Sequence, residues 1–244
     1  MLKVTADSIT NDSPWHIHGS SKARLVNATP NLDETCAYAA RVSSKTQENP
    51  SVDKLLRYCA NHKHWSIFEQ GSLTIEVVTP LAISIQAIRH KSFCFQQFSG
   101  RYQDQRVMGD MTEGLTAYGD MFYMPEAARE QDPKNRQNSI ETENPGLTDA
   151  MWNTMSTAYT VALQCYNDLI NRGIAKEIAR FVLPQGVYTK LYITGSARSF
   201  IHYCNVRDEE GVVQYEHVEL ARAVKEVFSE ACPIISRSIW GEKE

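Results

Sequence analysis

Polar and apolar side chains alternate along residues 72–78, SLTIEVV, and this alternation predicts a half-buried β-strand. The strand is expected to end in a turn at Thr79 and Pro80, and Pro80 suits the first turn of a helix through LAISIQAIRH. The stretch that follows, RHKSFCFQQFSGRYQ from Arg89 to Gln103, would then leave the C-terminal end of a packed helix. Polar side chains in such a place are held firmly and stay accessible, as a binding site requires.

Helical spacing of apolar side chains is clearest in the C-terminal half. From Met155 to Ile170 the spacing predicts a long core helix, and Gly173 is well placed to end it. A shorter helix over IAKEIARFV would end before Leu183, and VYTKLYIT predicts a strand. Ser196 could cap a helix over SARSFIHYCNVR, and YEHVELARAVKEVFSEACP would form the last helix.

Two further helices are predicted in the N-terminal half. Asn31 could N-cap a helix over NLDETCAYAARVSS, and Glu34 could complete a capping-box-like arrangement. A second helix is expected from Val52 to His62. Helices and strands in this non-alternating order indicate an α+β fold. We interpret residues 1–244 as one domain, with a polar, loop-rich excursion at 103–149 centred on EQDPKNRQNSIETENPG.

The composition is that of an ordinary soluble globular chain, with 244 residues, 42% of them hydrophobic and 22% charged. A net charge of −4 argues against a protein whose whole surface binds nucleic acid, so any anion site must be local. The start, MLKVTADSITND, lacks a signal-peptide pattern, and the apolar run PLAISIQAI is too short to cross a bilayer. Six cysteines without a CxxC pair indicate free thiols in a reducing, cytoplasmic compartment.

Nucleophilic and metal chemistry have weak support. Cys94 lies four residues from His90, but an isolated cysteine is more often a small buried hydrophobe than a nucleophile. Ser99 precedes a glycine without the G-x-S-x-G context of a nucleophile elbow. Two HxH pairs could each share a metal ion, but neither has an obvious third ligand nearby. These pairs are His16/His18 and His62/His64.

Four potential cations occur within thirteen residues, at Arg89, His90, Lys91 and Arg101. Such charges repel each other unless solvent or a bound anion compensates them. A solvated surface run is the alternative. The aromatic side chains interleaved with them make full solvation less convincing, and they are Phe93, Phe95, Phe98 and Tyr102. We therefore interpret this loop as a local anion site.

The same loop resembles the signature of the flavin-dependent thymidylate synthases, which is R-H-R, seven residues, and then S-G-R-Y. Here Arg89-His90-Lys91 is followed by seven residues and by Ser99-Gly100-Arg101-Tyr102. Further blocks are similar to that family in the same order along the chain. They are AARVS at 39–43, HKHWSIFE at 62–69, FYMP at 122–125, and EIARFVLPQGVYT and TGSARSFIHYCNVR between 177 and 207.

The resemblance implies reductive methylation of dUMP to dTMP, with methylenetetrahydrofolate as the carbon donor, FAD as the redox carrier and NADPH as the reductant. It also implies a homotetramer whose active sites form where subunits meet. The implied fold is one domain with a central, largely antiparallel sheet flanked by helices, including long helices in the C-terminal half. No cysteine nucleophile is required in this family, because reduced flavin supplies the hydride.

The resemblance also assigns site residues by position. The flavin would contact Ser66, Arg89, His90, Lys91, Gln97, Ser196, Arg198 and His202, with Glu69 in support. The nucleotide would contact Gln86, Arg89, Gln97, Ser99, Gly100, Arg101, Arg180 and Arg207. In the family, the arginine that matches Arg207 lies against the uracil and favours ionisation at N3, which makes Arg207 the candidate catalytic residue.

Two positions depart from the family pattern. Lys91 replaces the usual third arginine of R-H-R, and Gln97 stands where glutamate is common. Ser196 and His202 match one common form of the family, whereas other members carry asparagines. The departures leave open a non-catalytic or altered flavin- or nucleotide-binding relative. A small nucleic-acid-binding protein that uses the basic loop is the less favoured alternative.

Overall fold

A five-stranded antiparallel sheet forms the centre of the molecule. The computed structural model describes residues 13–241, and the sheet order is β1-β2-β3-β9-β4. Two small antiparallel hairpins, β5-β6 and β7-β8, lie outside this sheet. The strands are β1 (His16–His18), β2 (Ser21–Ala28), β3 (Ser72–Pro80), β4 (Cys94–Gln97), β5 (Ala117–Tyr118), β6 (Phe122–Tyr123), β7 (Arg129–Gln131), β8 (Ser139–Glu141) and β9 (Tyr188–Ser196).

Helices flank the sheet, and the predicted α+β fold with a central antiparallel sheet is confirmed. The helices described are α1 (Leu32–Ala40), α2 (Asp53–Asn61), α3 (Leu81–Ala87), α4 (Pro145–Asn171), α5 (Lys176–Ala179), α6 (Ala197–Arg207), α7 (Tyr215–Ala231) and α8 (Pro233–Trp240). Short 3-10 segments cover Trp65–Glu69, Gln105–Met111 and Arg180–Val182. No helix within residues 13–241 is both long enough and apolar enough to span a membrane.

Strand β3 is more deeply buried than its sequence pattern predicts. It pairs with β2 on one side and along its whole length with β9 on the other. Side chains on both of its faces are covered, including the carboxylate of Glu76. Glu76 tolerates burial because Arg24 and Lys190 lie within 2.6 and 3.3 Å of its oxygens. The polar positions of the alternating pattern therefore do not mark a solvent-facing side.

Helix α4 is longer and less buried than predicted. The Asn144 side chain accepts a hydrogen bond from the Gly146 N–H at 3.0 Å and caps the helix ahead of the predicted start. Its buried side chains are Tyr159 and Tyr166, so the expectation of a core helix is wrong for the isolated chain. Gly173 follows the helix end with a φ of 78°, as a C-terminal glycine should.

Several helices are shorter than the sequence patterns predict. Helix α3 begins after Pro80 as predicted but ends at Ala87, and α5 has four residues before a 3-10 turn begins at Arg180. The predicted cap of α6 is confirmed, because Ser196 Oγ accepts from the Ser199 N–H at 3.2 Å.

The segment 103–149 carries the two hairpins and part of the core. Met108, Phe122 and Met124 within it are buried against the rest of the chain. The polar residues that dominate its sequence lie in the second hairpin and the turns around it.

The predicted cap of α1 is wrong, and the acidic residue beside it caps a distant helix. Asn31 has a left-handed φ of 49°, and its side chain makes no capping hydrogen bond. Asp33 is buried, and its two carboxylate oxygens accept from the N–H groups of Ile234 and Ile235 at 2.8 and 3.1 Å. Since Pro233 opens α8 without an N–H, these are its first free amides.

Replacing Asp33 with alanine is expected to lower the free energy of unfolding by about 1–3 kcal/mol, because two buried amides lose their acceptor. Urea denaturation followed by circular dichroism measures the change. Glu34→Ala is the matched control, since Glu34 is exposed in the same turn and should change stability by less than about 0.5 kcal/mol. Equal losses in the two variants would contradict the capping role of Asp33.

Candidate active site

The basic loop is divided by strand β4 into two separate ends. Arg89, His90 and Lys91 lie in the turn after α3, whereas Ser99 and Arg101 lie beyond the other end of β4. A four-residue strand extends over roughly 13 Å, so Arg101 is held away from the other three potential cations. The two ends of the loop face two different cavities.

The first cavity, of about 490 Å³, lies between α6 and the 3-10 segment Trp65–Glu69. Arg198 and His202 are four residues apart in α6 and therefore share one helix face. Arg198 donates to Glu69 Oε1 at 2.7 Å. The cavity lining consists of Trp65, Glu69, Ser92, Arg198, Ser199, Ile201, His202 and Asn205.

His90 lies next to this cavity, with its ring centroid 5.3 Å from that of His202. Its Nε2 atom is buried and has no hydrogen-bond partner among residues 13–241. Burial lowers the pKa of His90, and His202 and Arg207 nearby lower it further. Arg207 Nε is also buried, and no described residue accepts from it. Two buried nitrogen atoms, His90 Nε2 beside the cavity and Arg207 Nε near His90, are thus left for a ligand.

The other predicted flavin contacts stand outside the lining of this cavity. Ser66 is exposed on the 3-10 segment Trp65–Glu69, and Ser196 is the N-cap residue of α6. Arg89 and Lys91 are exposed, and within the described part of the chain neither forms an ion pair.

The second cavity, of about 370 Å³, contains four of the predicted nucleotide contacts: Gln97, Ser99, Gly100 and Arg180. A Cβ atom at Gly100 would lie 3.3 Å from Gln105 Oε1 and 3.6 Å from Arg180 Cδ, so glycine keeps this wall open. Arg101 lies outside the lining, where its Nε is 3.5 Å from Glu177 Oε2. Sequence reasoning missed Gln105 and Thr189, which also line the cavity.

Gln97 is held by two hydroxyl groups, and this explains why an amide fits here. Its Nε2 donates to Ser84 Oγ at 3.1 Å and to Thr189 Oγ1 at 3.3 Å. Ser84 donates its own proton to the Leu81 carbonyl at 2.9 Å and can therefore only accept from residue 97. A glutamate at this position would direct a lone pair at the Ser84 oxygen.

Gln86 and Arg207 belong to a third group, centred on a histidine that sequence reasoning missed. His217 of α7 is fully buried, and Tyr203 Oη and Gln86 Oε1 lie 3.1 Å from its two ring nitrogens. Burial, followed by the charges of Arg207 and His90, lowers the pKa of His217 to about 3. A histidine on the apolar face of the last predicted helix was the available signal, because a buried polar ring needs partners.

Helix α3 separates the second cavity from this third group. Ser84 faces Gln97, whereas Gln86 faces His217. Residues two apart in a helix point about 200° away from each other around the axis. The predicted nucleotide contacts of one chain are thus divided between opposite faces of α3.

The remaining candidates for chemistry lie elsewhere. Cys94 is exposed on the edge strand β4, contrary to its interpretation as a buried hydrophobe. His16 and His18 contact carboxylates of α7, and His62 stacks on Tyr58 with 4.1 Å between ring centroids. Within residues 13–241, no group of three or more His, Cys, Asp or Glu side chains is arranged to hold a metal ion.

Comparisons with known proteins show which family the chain resembles. A family model described as thymidylate synthase complementing protein matches residues 24–234. The probable flavin-dependent thymidylate synthase of Paramecium bursaria Chlorella virus 1 is 40% identical over 218 residues, covering 88% of this chain and 94% of its own. The flavin-dependent thymidylate synthase of Synechocystis is 40% identical over 203 residues, covering 83% of this chain and 87% of its own.

A solved structure is also similar. It is a UMP/dUMP methylase from Streptomyces cacaoi bound with 5-Br dUMP, and it superimposes with a TM-score of 0.73 at 26% identity. The match covers 91% of this chain and 96% of the methylase chain.

Gln97→Glu is expected to destabilise the protein by about 1–2 kcal/mol near pH 8, since Ser84 would have to give up its hydrogen bond to the Leu81 carbonyl in order to donate to a carboxylate. The unfavourable contact raises the folded pKa of the new carboxyl group. The stability loss should therefore shrink as the pH falls through that pKa, because a protonated carboxyl can donate to Ser84. Urea denaturation at pH 5 and pH 8 measures this. Gln96→Glu on the same strand is exposed and serves as the control; the same pH dependence in both variants would refute the Ser84 argument.

Proposed function

Because this chain belongs to the thymidylate synthase complementing protein family, the flavin-dependent thymidylate synthases, we propose that it converts dUMP to dTMP by reductive methylation. Methylenetetrahydrofolate would be the carbon donor and NADPH the reductant. The observation that carries the proposal is that His90 Nε2, beside the Arg198–His202 cavity, and Arg207 Nε, near His90, are buried and have no hydrogen-bond partner among residues 13–241. Residues of the family signature and two of the buried polar atoms that lack a partner among residues 13–241 thus lie in one region.

The first cavity fits FAD. Its size lies within the usual range of cofactor sites, and its wall combines the Trp65 ring with the polar groups of Arg198 and His202. Arg198 would bind phosphate oxygens, and its ion pair with Glu69 orients it for that contact. His90 would use its unpartnered Nε2 toward the same ligand. When bound, the flavin supplies the hydride for the reduction.

Arg207 is the proposed catalytic group. Arg207 interacts electrostatically with two histidines, His90 and His217, and both have lowered pKa values. At neutral pH, Arg207 is therefore the cation among these three residues. Its positive charge beside the uracil would stabilise negative charge that develops on the ring. Its Nε is already desolvated and unpartnered among the described residues, so this stabilisation needs little reorganisation.

The second cavity would bind the nucleotide phosphate. Arg180 offers a planar pair of donors, Ser99 adds a hydroxyl, and Gly100 allows the backbone to approach closely. Gln97 places a neutral amide where the family commonly carries a carboxylate, which removes one repulsion from the phosphate dianion. This departure is compatible with binding.

Division of the nucleotide contacts across α3 supports a homotetramer whose active sites form between subunits. One chain would supply Gln86 and Arg207, and a neighbouring chain would supply Ser99 and Arg180. Phe181, which follows Arg180, is 77% exposed in the single chain. Ile178 and Val182 near it are also exposed, and clustered apolar side chains at a surface are typical of an interface. We propose the cytoplasm as the compartment, in keeping with six free thiols.

The purified protein is expected to form dTMP from dUMP, methylenetetrahydrofolate and NADPH, as measured by chromatography. Arg207→Ala should lower kcat roughly hundredfold, because a charge-stabilising donor is lost. Cys94→Ala should keep substantial activity, since no thiol takes part. Wild-type protein that holds flavin and dUMP without forming dTMP would instead support a non-catalytic relative. A covalent adduct between dUMP and Cys94 would contradict the flavin-based mechanism.

Mixing two inactive variants tests the shared site. In hybrids of Arg207→Ala and Arg180→Ala chains, about a quarter of the sites would receive both intact residues, and activity should return in proportion. Hybrids of Arg180→Ala with Ser99→Ala are the control, because both changes affect the same cavity and no site is restored. Native mass spectrometry verifies that the hybrids form. Absence of recovery in verified Arg207→Ala/Arg180→Ala hybrids would show that each chain builds its own site.

A further inference from the structure

His217 is the centre of a buried hydrogen-bonded chain that the proposed reaction does not use directly. Tyr203 Oη lies 3.1 Å from its Nε2, and Gln86 Oε1 lies 3.1 Å from its Nδ1. Gln86 Nε2 in turn donates to Gln214 Oε1 at 2.5 Å, and Gln214 Nε2 donates to Glu216 Oε2 at 2.8 Å. Helices α3, α6 and α7 and the residue that precedes α7 are joined by this chain.

The donor and acceptor roles along this hydrogen-bonded chain determine which ring nitrogen of His217 carries the proton. The Gln86 oxygen can only accept, so Nδ1 of His217 carries the hydrogen. Nε2 is then an acceptor, and the Tyr203 hydroxyl donates to it. The amide orientation of Gln86 agrees with its second contact, in which Nε2 donates to Gln214.

The surrounding charges favour the same state. Arg207 and His90 face His217 and disfavour a second proton on its ring, and burial acts in the same direction, lowering its pKa to about 3. Glu216 is the carboxylate at the far end of the chain, with Gln214 and Gln86 between it and the imidazole. The imidazole therefore stays neutral at physiological pH, with Nδ1 as its donor and Nε2 as its acceptor.

We propose that His217 is a positioning residue for nucleotide binding. Its Nδ1–H group fixes the side-chain amide of Gln86, and its Nε2 atom anchors the Tyr203 hydroxyl. The proposal rests on the function proposed above, in which Gln86 contacts dUMP. Tyr203 packs edge-on against His90, with 5.4 Å between ring centroids, so its position also affects the flavin side. His217 itself contacts neither ligand in this arrangement.

Fixing Gln86 matters because an amide has a donor end and an acceptor end of nearly equal shape. Once Oε1 is held by His217 and one Nε2 hydrogen by Gln214, a defined N–H remains for the nucleotide. Without the Nδ1 donor the amide can flip, and dUMP would have to order it on binding.

Two substitutions separate the two ring nitrogens. His217→Asn keeps a donor near the position of Nδ1, whereas His217→Gln keeps an acceptor near the position of Nε2. We expect the dissociation constant and KM for dUMP to rise about threefold to tenfold in His217→Gln, the effect of one neutral hydrogen bond. His217→Asn should stay within about twofold of wild type, and kcat at saturating dUMP should change less than KM in both.

Ser229→Ala is the matched control for a merely structural role. Ser229 lies in the same helix α7 and donates to the Lys225 carbonyl at 2.7 Å, far from the Gln86 chain in sequence and on a different turn. It should lower thermal stability without changing the dUMP constants. Equal dUMP constants in the asparagine and glutamine variants, whether impaired or normal, would overturn the proposal.

Imidazole ¹⁵N chemical shifts of the wild-type protein give a readout that needs neither folding of a variant nor turnover. We expect His217 to show a protonated Nδ1 and an unprotonated Nε2 throughout pH 5.5–8.0. A proton on Nε2, or titration within this range, would overturn the proposal. If dTMP formation fails in the wild type while these shifts and the dUMP constants behave as expected, the proposed reaction is wrong and the positioning role stands.

Discussion

The antiparallel pairing of β3 with β9 is the constraint on which the two cavities depend. Its register runs from Ser72 opposite Ser196 to Pro80 opposite Tyr188. Helix α3 leaves one end of this ladder after Pro80, and α6 leaves the other end after Ser196. Strand β4 then returns along β9, with Cys94 opposite Thr194 and Gln97 opposite Leu191. That register brings the turn containing His90 to α6 and the turn containing Ser99 to Arg180, so a slip of the ladder would separate both sets.

Local features of the fold were predictable because neighbouring residues determine them. Pro80 before α3, Ser196 before α6 and Gly173 after α4 each act on the backbone within a few residues. The cap of α8 was not predictable, since Asp33 and Ile234 are 201 positions apart. Burial of Glu76 was missed for the same reason, because its partners Arg24 and Lys190 lie on other strands.

The candidate site divides in the same way. The signature predicts which side chains act in one reaction, but it cannot predict which cavity each of them enters. Gln86 and Ser84 are two positions apart in the sequence but face opposite sides of α3. His217 carries no signature, and its 131-residue separation from Gln86 hides the hydrogen bond that explains its burial. The sequence motifs predict which kinds of ligand are bound. The geometry of helix α3 decides how the predicted contacts are distributed between its two faces.

The unpartnered nitrogen atoms of His90 and Arg207 have a consequence for the balance between folding and affinity. A buried polar atom without a partner has already lost its water, and this desolvation penalty of about 1–3 kcal/mol falls on the folding reaction. A ligand that binds there does not have to displace water from these atoms. Each new hydrogen bond to them therefore contributes more fully to the free energy of ligand binding. A bound ligand would complete the packing around these atoms, and ligand binding should make the chain more resistant to unfolding.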